Sequence, residues 1–149
     1  MKGIGEMIFT IIIMLILIGA TFEDLRKKSI PIILVGMAGL VSVICVGLNL
    51  YLGNNILPDT MLSFLPGLAI IGIAYSTKQA IGFGDGLMIC SIAPVFGTEN
   101  LVTGVFLAFL FSSVVSIVLF ILRKATRKTQ IPFLPFITLG MGVVACAQI

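Results

Sequence analysis

Long apolar runs, separated by short polar segments, constrain this chain more than any other feature. One run extends from Met7 to Phe22 and a later one from Leu101 to Leu122, and about twenty apolar residues is the length of helix that crosses a bilayer. Across the chain 59% of the residues are hydrophobic and 10% are charged, whereas soluble domains carry about 25% charged residues. The sequence therefore predicts an all-α, polytopic membrane protein that forms a single domain over residues 1–149.

The positions of the apolar runs predict six transmembrane helices. They occupy Met7–Phe22, Pro31–Leu52, Thr60–Tyr75, Leu87–Phe96, Leu101–Leu122 and Ile131–Ala147. The fourth run has only about ten residues, so it is either a tilted or kinked crossing or a re-entrant segment. No small-residue cleavage site followed by a soluble domain comes after the first run, which favours a retained helix over a signal peptide.

The basic residues indicate the orientation, because Lys and Arg accumulate in short cytoplasmic loops. With six crossings only Lys2 lies on the opposite side from the rest, which are Arg26, Lys27, Lys28, Lys78, Arg123, Lys124, Arg127 and Lys128. A re-entrant fourth segment would divide this group between the two faces, so the charges favour a true crossing. We therefore expect a multi-pass plasma-membrane protein with both termini outside the cytoplasm.

Missing residue types restrict the chemistry. The chain has no histidine, which excludes Ser-His and Cys-His catalysis. Cys45, Cys90 and Cys146 are scattered singly within apolar runs, a pattern that argues against structural zinc and disulfide frameworks. We expect no metal or cofactor, and the net charge of +3 reflects topology rather than a nucleic-acid partner. Carboxylates are then the main candidates for catalysis.

Asp85 lies in a glycine-rich stretch, Gly82-Phe83-Gly84-Asp85-Gly86. An ionisable residue at a membrane boundary is costly to place, so function is the default hypothesis. In that interpretation Gly82, Gly84 and Gly86 leave room for a substrate backbone beside the carboxylate. The alternative is a helix N-cap in a tight turn. The two interpretations are compatible, and these residues alone leave both open.

Asp24, at the end of the first apolar run, is the best partner for Asp85. Its own spacing favours the alternative of a loop charge paired with Arg26 or Lys28, and only the partnership with Asp85 supports a catalytic role. Two predicted crossings separate them, so both lie at the cytoplasmic boundary, whereas Asp59 and Glu99 lie about a bilayer thickness away. Two adjacent carboxylates do not readily ionise together, so they share a proton, and one accepts a proton from water while the other donates to a carbonyl oxygen. Glu23 points about 100° away around the helix and is expected to be a solvated charge.

Three stretches resemble the type IV prepilin peptidase family, which includes archaeal preflagellin peptidases and shares its G-x-G-D motif with presenilin-type intramembrane proteases. They are Asp24-Leu-Arg-Lys-Lys-Ser-Ile-Pro31, Gly82-Phe-Gly-Asp-Gly86 and Ile131-Pro-Phe-Leu-Pro-Phe-Ile-Thr-Leu-Gly140. The resemblance implies that Asp24 and Asp85 are the catalytic pair of a membrane-embedded aspartic endopeptidase. The implied substrate is a prepilin-like protein, cut on the cytoplasmic side where its basic leader meets a hydrophobic helix.

The chain differs from the family pattern at three positions. Ile32 stands where asparagine is usual, Gly86 where a polar residue often follows the aspartate, and Leu134 where glycine is common. Larger relatives carry a cytoplasmic segment with paired cysteines and an N-methyltransferase activity. This chain has neither the segment nor the cysteine pairs, so we expect peptidase activity only.

Two other functions compete with peptide hydrolysis by an aspartate pair. A small transporter, or a secretion or assembly subunit, would use the same carboxylates to carry protons or bind a cation. A Ser-Lys nucleophile would pair Ser76 or Ser91 with Lys78, although nothing in their spacing supports it.

Overall fold

The computed structural model describes residues 4–27, 30–54, 56–76, 82–122 and 132–147. These residues form five α-helices: α1 (Ile4–Lys27), α2 (Ile32–Tyr51), α3 (Leu57–Ser76), α4 (Phe83–Ile121) and α5 (Leu134–Ala147). Within the described ranges all regular secondary structure is helical, which confirms the predicted all-α class. The first four helices are long and apolar enough to cross a membrane, in agreement with a membrane protein.

Six separate spans are not confirmed. The predicted fourth and fifth spans both lie within α4, and the predicted sixth corresponds to α5, which has 14 residues. At 1.5 Å per residue such a helix is about 21 Å long, shorter than a hydrocarbon core of about 30 Å. Length and composition therefore identify four candidate spans among the described helices, rather than six.

Gly97 interrupts α4 and divides it into segments 83–96 and 98–121. Its backbone has φ 74° and ψ 170°, in the region that glycine adopts without a side-chain clash. Asp59, in the first turn of α3, supports the new start: its carboxylate accepts a hydrogen bond from the Thr98 backbone N–H at 3.3 Å, and its carbonyl accepts one from the Thr98 hydroxyl at 2.8 Å. The Thr98 backbone N–H, at the start of the second segment, therefore has its acceptor on α3.

Glycines allow the neighbouring helices to approach α4 closely. A Cβ atom on Gly67 of α3 would lie 2.9 Å from the Cys90 backbone nitrogen, and one on Gly140 of α5 would collide with the Gly104 carbonyl oxygen and lie 3.0 Å from the Ala108 nitrogen. Small residues are typical of such crossings, because close packing drives helix association in lipid. The helix α4 is consequently the centre of the bundle, with α3 on its first segment and α5 on its second.

The buried core lies along α4 and the facing sides of α1 and α5. Its fully buried large side chains are Ile13, Leu17, Met88, Ile89, Ile92, Phe96, Leu101, Leu134, Ile137 and Met141. Large apolar residues on the outer faces remain exposed, among them Ile32 at 77% and Phe120 at 76%. Such an apolar exterior suits contact with lipid rather than with water.

Candidate active site

Asp24 lies in the last turn of α1 and is only 6% exposed. The backbone N–H of Leu134, the first residue of α5, faces the Asp24 carboxylate. The first amides of a helix have no acceptor within that helix, so this N–H is free to face a carboxylate, and the positive end of the helix dipole favours negative charge there. The start of α5 is therefore part of the surroundings of Asp24.

Leu134 stands at the position in the third motif where the family pattern described above commonly has glycine. Its side chain is fully buried, so leucine fills space in the core of the bundle. The donor to Asp24 belongs to the backbone, and it is the same whether the residue is glycine or leucine. The departure therefore leaves this contact with the aspartate unchanged.

Asp85 lies in the first turn of α4 and is also 6% exposed. The N-cap of α4 is Gly82, and the Asp85 backbone N–H donates to the Gly82 carbonyl at 3.1 Å. The alternative in which Asp85 itself is the N-cap is therefore wrong. Its carboxylate turns back toward Gly82, where a Cβ atom would lie 2.8 Å from Oδ2.

The fold brings the carboxylates of Asp24 and Asp85 close enough for the charge on one to act directly on the other. Both side chains are buried, and burial strengthens the interaction between two charges. Asp59 is not part of this pair, because it contacts Thr98 at the far end of the first segment of α4. The predicted juxtaposition of the two aspartates is thus present, while their catalytic role stays a prediction.

The three glycines beside Asp85 have different surroundings. Gly82 is exposed. A Cβ atom on Gly84 would lie 3.2 Å from the Ile30 side chain, and one on Gly86 would lie 3.1 Å from the Ile71 backbone nitrogen. Gly84 and Gly86 therefore face neighbouring parts of the protein. That all three glycines give a substrate backbone access to Asp85 stays a prediction.

The three sequence motifs contact one another at this site. Ile30, from the first motif, is half-buried and packs against Gly84 of the second. The amide of Leu134, from the third motif, faces Asp24 of the first. Sequence reasoning did not identify Ile30 or Leu134 as site residues. Their positions inside the motifs were the signal that pointed to them.

The chain reverses its direction within α4, so that the start of the first segment and the middle of the second lie at the same end of the molecule. Asp85 and Gly97 are twelve residues apart, or about 18 Å along a helix. A further twelve residues lead to Phe109, whose ring centroid is 4.9 Å from that of Phe133, next to the start of α5. Since α5 begins beside Asp24, the chain reverses its direction at Gly97, as a hairpin of two helices does.

The remaining predictions near the site concern Glu23, two serines, the basic residues and possible metal ligands. Glu23 forms an ion pair with Lys27 at 2.8 Å and is partly exposed, in keeping with a boundary charge. The hydroxyls of Ser76 and Ser91 donate to carbonyls of their own helices. Several basic residues used for the orientation lie outside the described residues, and they are Lys2, Lys28, Lys78, Arg123, Lys124, Arg127 and Lys128. Among the described side chains no group of three or more potential metal ligands occurs.

Comparison with known proteins gave one match. The sequence profile of the type IV leader peptidase family matches residues 11–121, which is about three quarters of the chain and includes both Asp24 and Asp85. The comparisons with curated proteins and with solved structures gave no significant match.

Proposed function

Since this chain belongs to the type IV leader peptidase family and is a membrane protease, we propose that it is an aspartic endopeptidase that cleaves the N-terminal leader of prepilin-like proteins. The observation that carries the proposal is the pair of buried, electrostatically interacting carboxylates, Asp24 and Asp85. Both belong to the matched region, and they come from different helices. A pair that shares one proton has both an acceptor and a donor of protons, as hydrolysis of a peptide bond requires.

The reaction uses a water molecule bound between the two carboxylates. The ionised aspartate takes a proton from the water, and the resulting hydroxide equivalent attacks the carbonyl carbon of the scissile peptide bond. The protonated aspartate donates to the carbonyl oxygen, and a proton is then returned to the leaving amine as the carbon–nitrogen bond breaks. The Leu134 amide is aimed at Asp24 and stabilises negative charge there, so we assign the ionised role in the first step to Asp24 and the protonated role to Asp85.

The substrate that we propose is a protein with a short basic leader followed by a hydrophobic helix. The pair lies where α1 ends and α4 begins, so a bond cut there lies at the boundary between the bilayer and water. Arg26 and Lys27 lie two and three residues after Asp24 and are exposed, which favours a cytoplasmic position for this end. The substrate helix would remain in the lipid while its leader is in the cytoplasm.

In the same orientation both termini are outside the cytoplasm. Cys146, near the end of α5, is exposed, while Cys45 is buried and Cys90 is partly buried. A membrane-impermeant maleimide applied to intact cells should therefore label Cys146, and a Cys146→Ser variant should lose the label. Labelling of Cys146 only after the cells are opened would contradict this orientation.

The decisive experiment uses the full chain in liposomes with a prepilin-like substrate. Asp24→Asn and Asp85→Asn should each abolish leader cleavage while leaving the protein inserted. Asp59→Asn is the matched control, because this acid belongs to α3 and contacts Thr98 at the far end of the first segment of α4. Cleavage at the normal rate by either of the first two variants would overturn the assignment. Proton flux across the liposomes that the same two variants abolish, with no cleaved product from the unaltered chain, would instead support a transporter.

A further inference from the structure

A pair of threonines joins α1 to α5 within the apolar bundle. The hydroxyls of Thr21 and Thr138 are 2.7 Å apart, and Thr138 also lies 3.0 Å from the Leu134 carbonyl and 3.4 Å from the Leu17 carbonyl. Thr21 is three residues before Asp24 and Thr138 is four residues after Leu134. The threonine pair therefore lies one helical turn, about 5.4 Å, from the contact between the Leu134 amide and Asp24.

We propose that Thr21 and Thr138 are positioning residues that fix the axial register of α5 on α1, so that the Leu134 amide meets the Asp24 carboxylate. This inference rests on the proposed aspartic peptidase activity. It adds residues that touch neither the substrate nor the reacting water. Their effect reaches the site through α5, whose first residue carries the donor.

Apolar packing alone does not set this register. Gly140 lets α5 approach α4 closely, but contacts between apolar surfaces are not directional, and they tolerate sliding along the helix axis. A hydrogen bond between two hydroxyls loses its geometry within about half an ångström. The Thr21–Thr138 pair is therefore the directional contact nearest to the site between these two helices among the described residues.

Thr98 also bonds to another helix, at the break in α4, whereas two other threonines of the bundle show a different pattern. The hydroxyl of Thr10 donates to the carbonyl of Glu6, and that of Thr103 donates to the carbonyl of Glu99. Each of these bonds remains within one helix and satisfies the hydroxyl locally. Thr138 makes the same local bond to Leu134, but it also has a partner on α1. Thr103 is consequently a matched control, since it is an exposed threonine that bonds to its own helix.

The test measures leader cleavage by the full chain in liposomes for Thr21→Val, Thr138→Val, the double variant and Thr103→Val. Valine keeps the shape of threonine and removes the hydroxyl. Thr21→Val and Thr138→Val should each lower kcat by about 10- to 100-fold, the range for a misplaced catalytic group, with little change in KM. The double variant should lose no more than the worse single variant, because one contact is removed in all three. Thr138→Ser should recover most of the activity, and Thr103→Val should have the normal rate.

Thermal unfolding in detergent separates positioning from loss of the fold. We expect the valine variants to unfold cooperatively near the temperature of the unaltered chain. Normal kcat in Thr21→Val or Thr138→Val, or multiplied losses in the double variant, would overturn the inference while leaving the peptidase activity in place. If the unaltered chain does not cleave the substrate at all, the proposed function fails. A non-additive effect of the two valine substitutions on the free energy of unfolding would then show a structural contact and no positioning role.

Discussion

The backbone N–H of Leu134, at the start of α5, faces the carboxylate of Asp24, at the end of α1. These residues are more than a hundred positions apart, and Leu134 lies beyond the region that matches the family profile. The contact gives the last helix a direct part in the site. The backbone of Leu134 contributes to the site, whereas its buried side chain contributes to core packing, so the two contributions can be separated.

Leu134 offers a test of that separation. Leu134→Ala keeps the amide, so it should retain the cleavage rate while lowering the free energy of unfolding by about 2–5 kcal/mol through loss of core packing. Leu134→Pro removes the N–H at the first helical position, where proline is otherwise tolerated, and should lower kcat by a further factor of ten or more, about 1.4 kcal/mol. Cleavage assays and denaturant unfolding measure the two effects. Equal rates for the alanine and proline variants would show that the amide has no role.

Ile30 and Gly84 connect the first and second motifs. Gly84→Ala places a methyl group 3.2 Å from the Ile30 Cδ1 atom, so the two residues must move apart, and we expect a few-fold loss of cleavage because Asp85 adjoins Gly84. Ile30→Val removes that terminal methyl group and should restore part of the rate in the double variant. The measurement is a double-mutant cycle on kcat. Additive effects of the two substitutions would contradict a direct contact.

Gly97 combines a positive φ with a close neighbour. Gly97→Ala should destabilise the protein by about 1–2 kcal/mol from backbone strain alone, and more because the new methyl group would lie 2.7 Å from the Asp59 Oδ2 atom. Gly53→Ala is the control, since Gly53 also has a positive φ, 78°, but open space around it. The difference between their free energies of unfolding includes the contact with Asp59, which only the Gly97 variant disturbs. A smaller loss for Gly97→Ala than for Gly53→Ala would contradict the close approach of α3 to the turn.

Gly140 tests the crossing of α5 with α4. A methyl group there would collide with the Gly104 carbonyl, so Gly140→Ala should separate the two helices and cost about 1–3 kcal/mol, as overpacking does. Gly47→Ala, at a position in α2 with nothing nearby, should be neutral or slightly stabilising, because alanine favours helix over glycine. Unfolding in detergent compares the two variants. Because α5 carries Leu134, Gly140→Ala should also lower the cleavage rate, and an unchanged rate would show that the site tolerates movement of α5.

Much of this protein could be predicted from its sequence, because the relevant signals are local. Apolar runs long enough to cross a bilayer predict helices, because a backbone surrounded by lipid must satisfy its own hydrogen bonds. The motifs predicted Asp24 and Asp85 as partners, and the structure places them together. The number of spans was less accessible, because the first segment of α4 has only 14 residues before the break at Gly97 and α5 also has 14, and a helix of that length is neither clearly a span nor clearly too short.

The sequence by itself determined the helical class, the membrane environment and the identity of the two acids, because burial of a charge among apolar residues is visible in the order of the residues. Only the tertiary structure decided what surrounds those acids. The Leu134 amide, the Ile30 contact and the Thr21–Thr138 pair join residues far apart in the chain, and their distances depend on how closely glycines let the helices approach. Contacts of this kind follow from packing in three dimensions, which no spacing along the chain specifies.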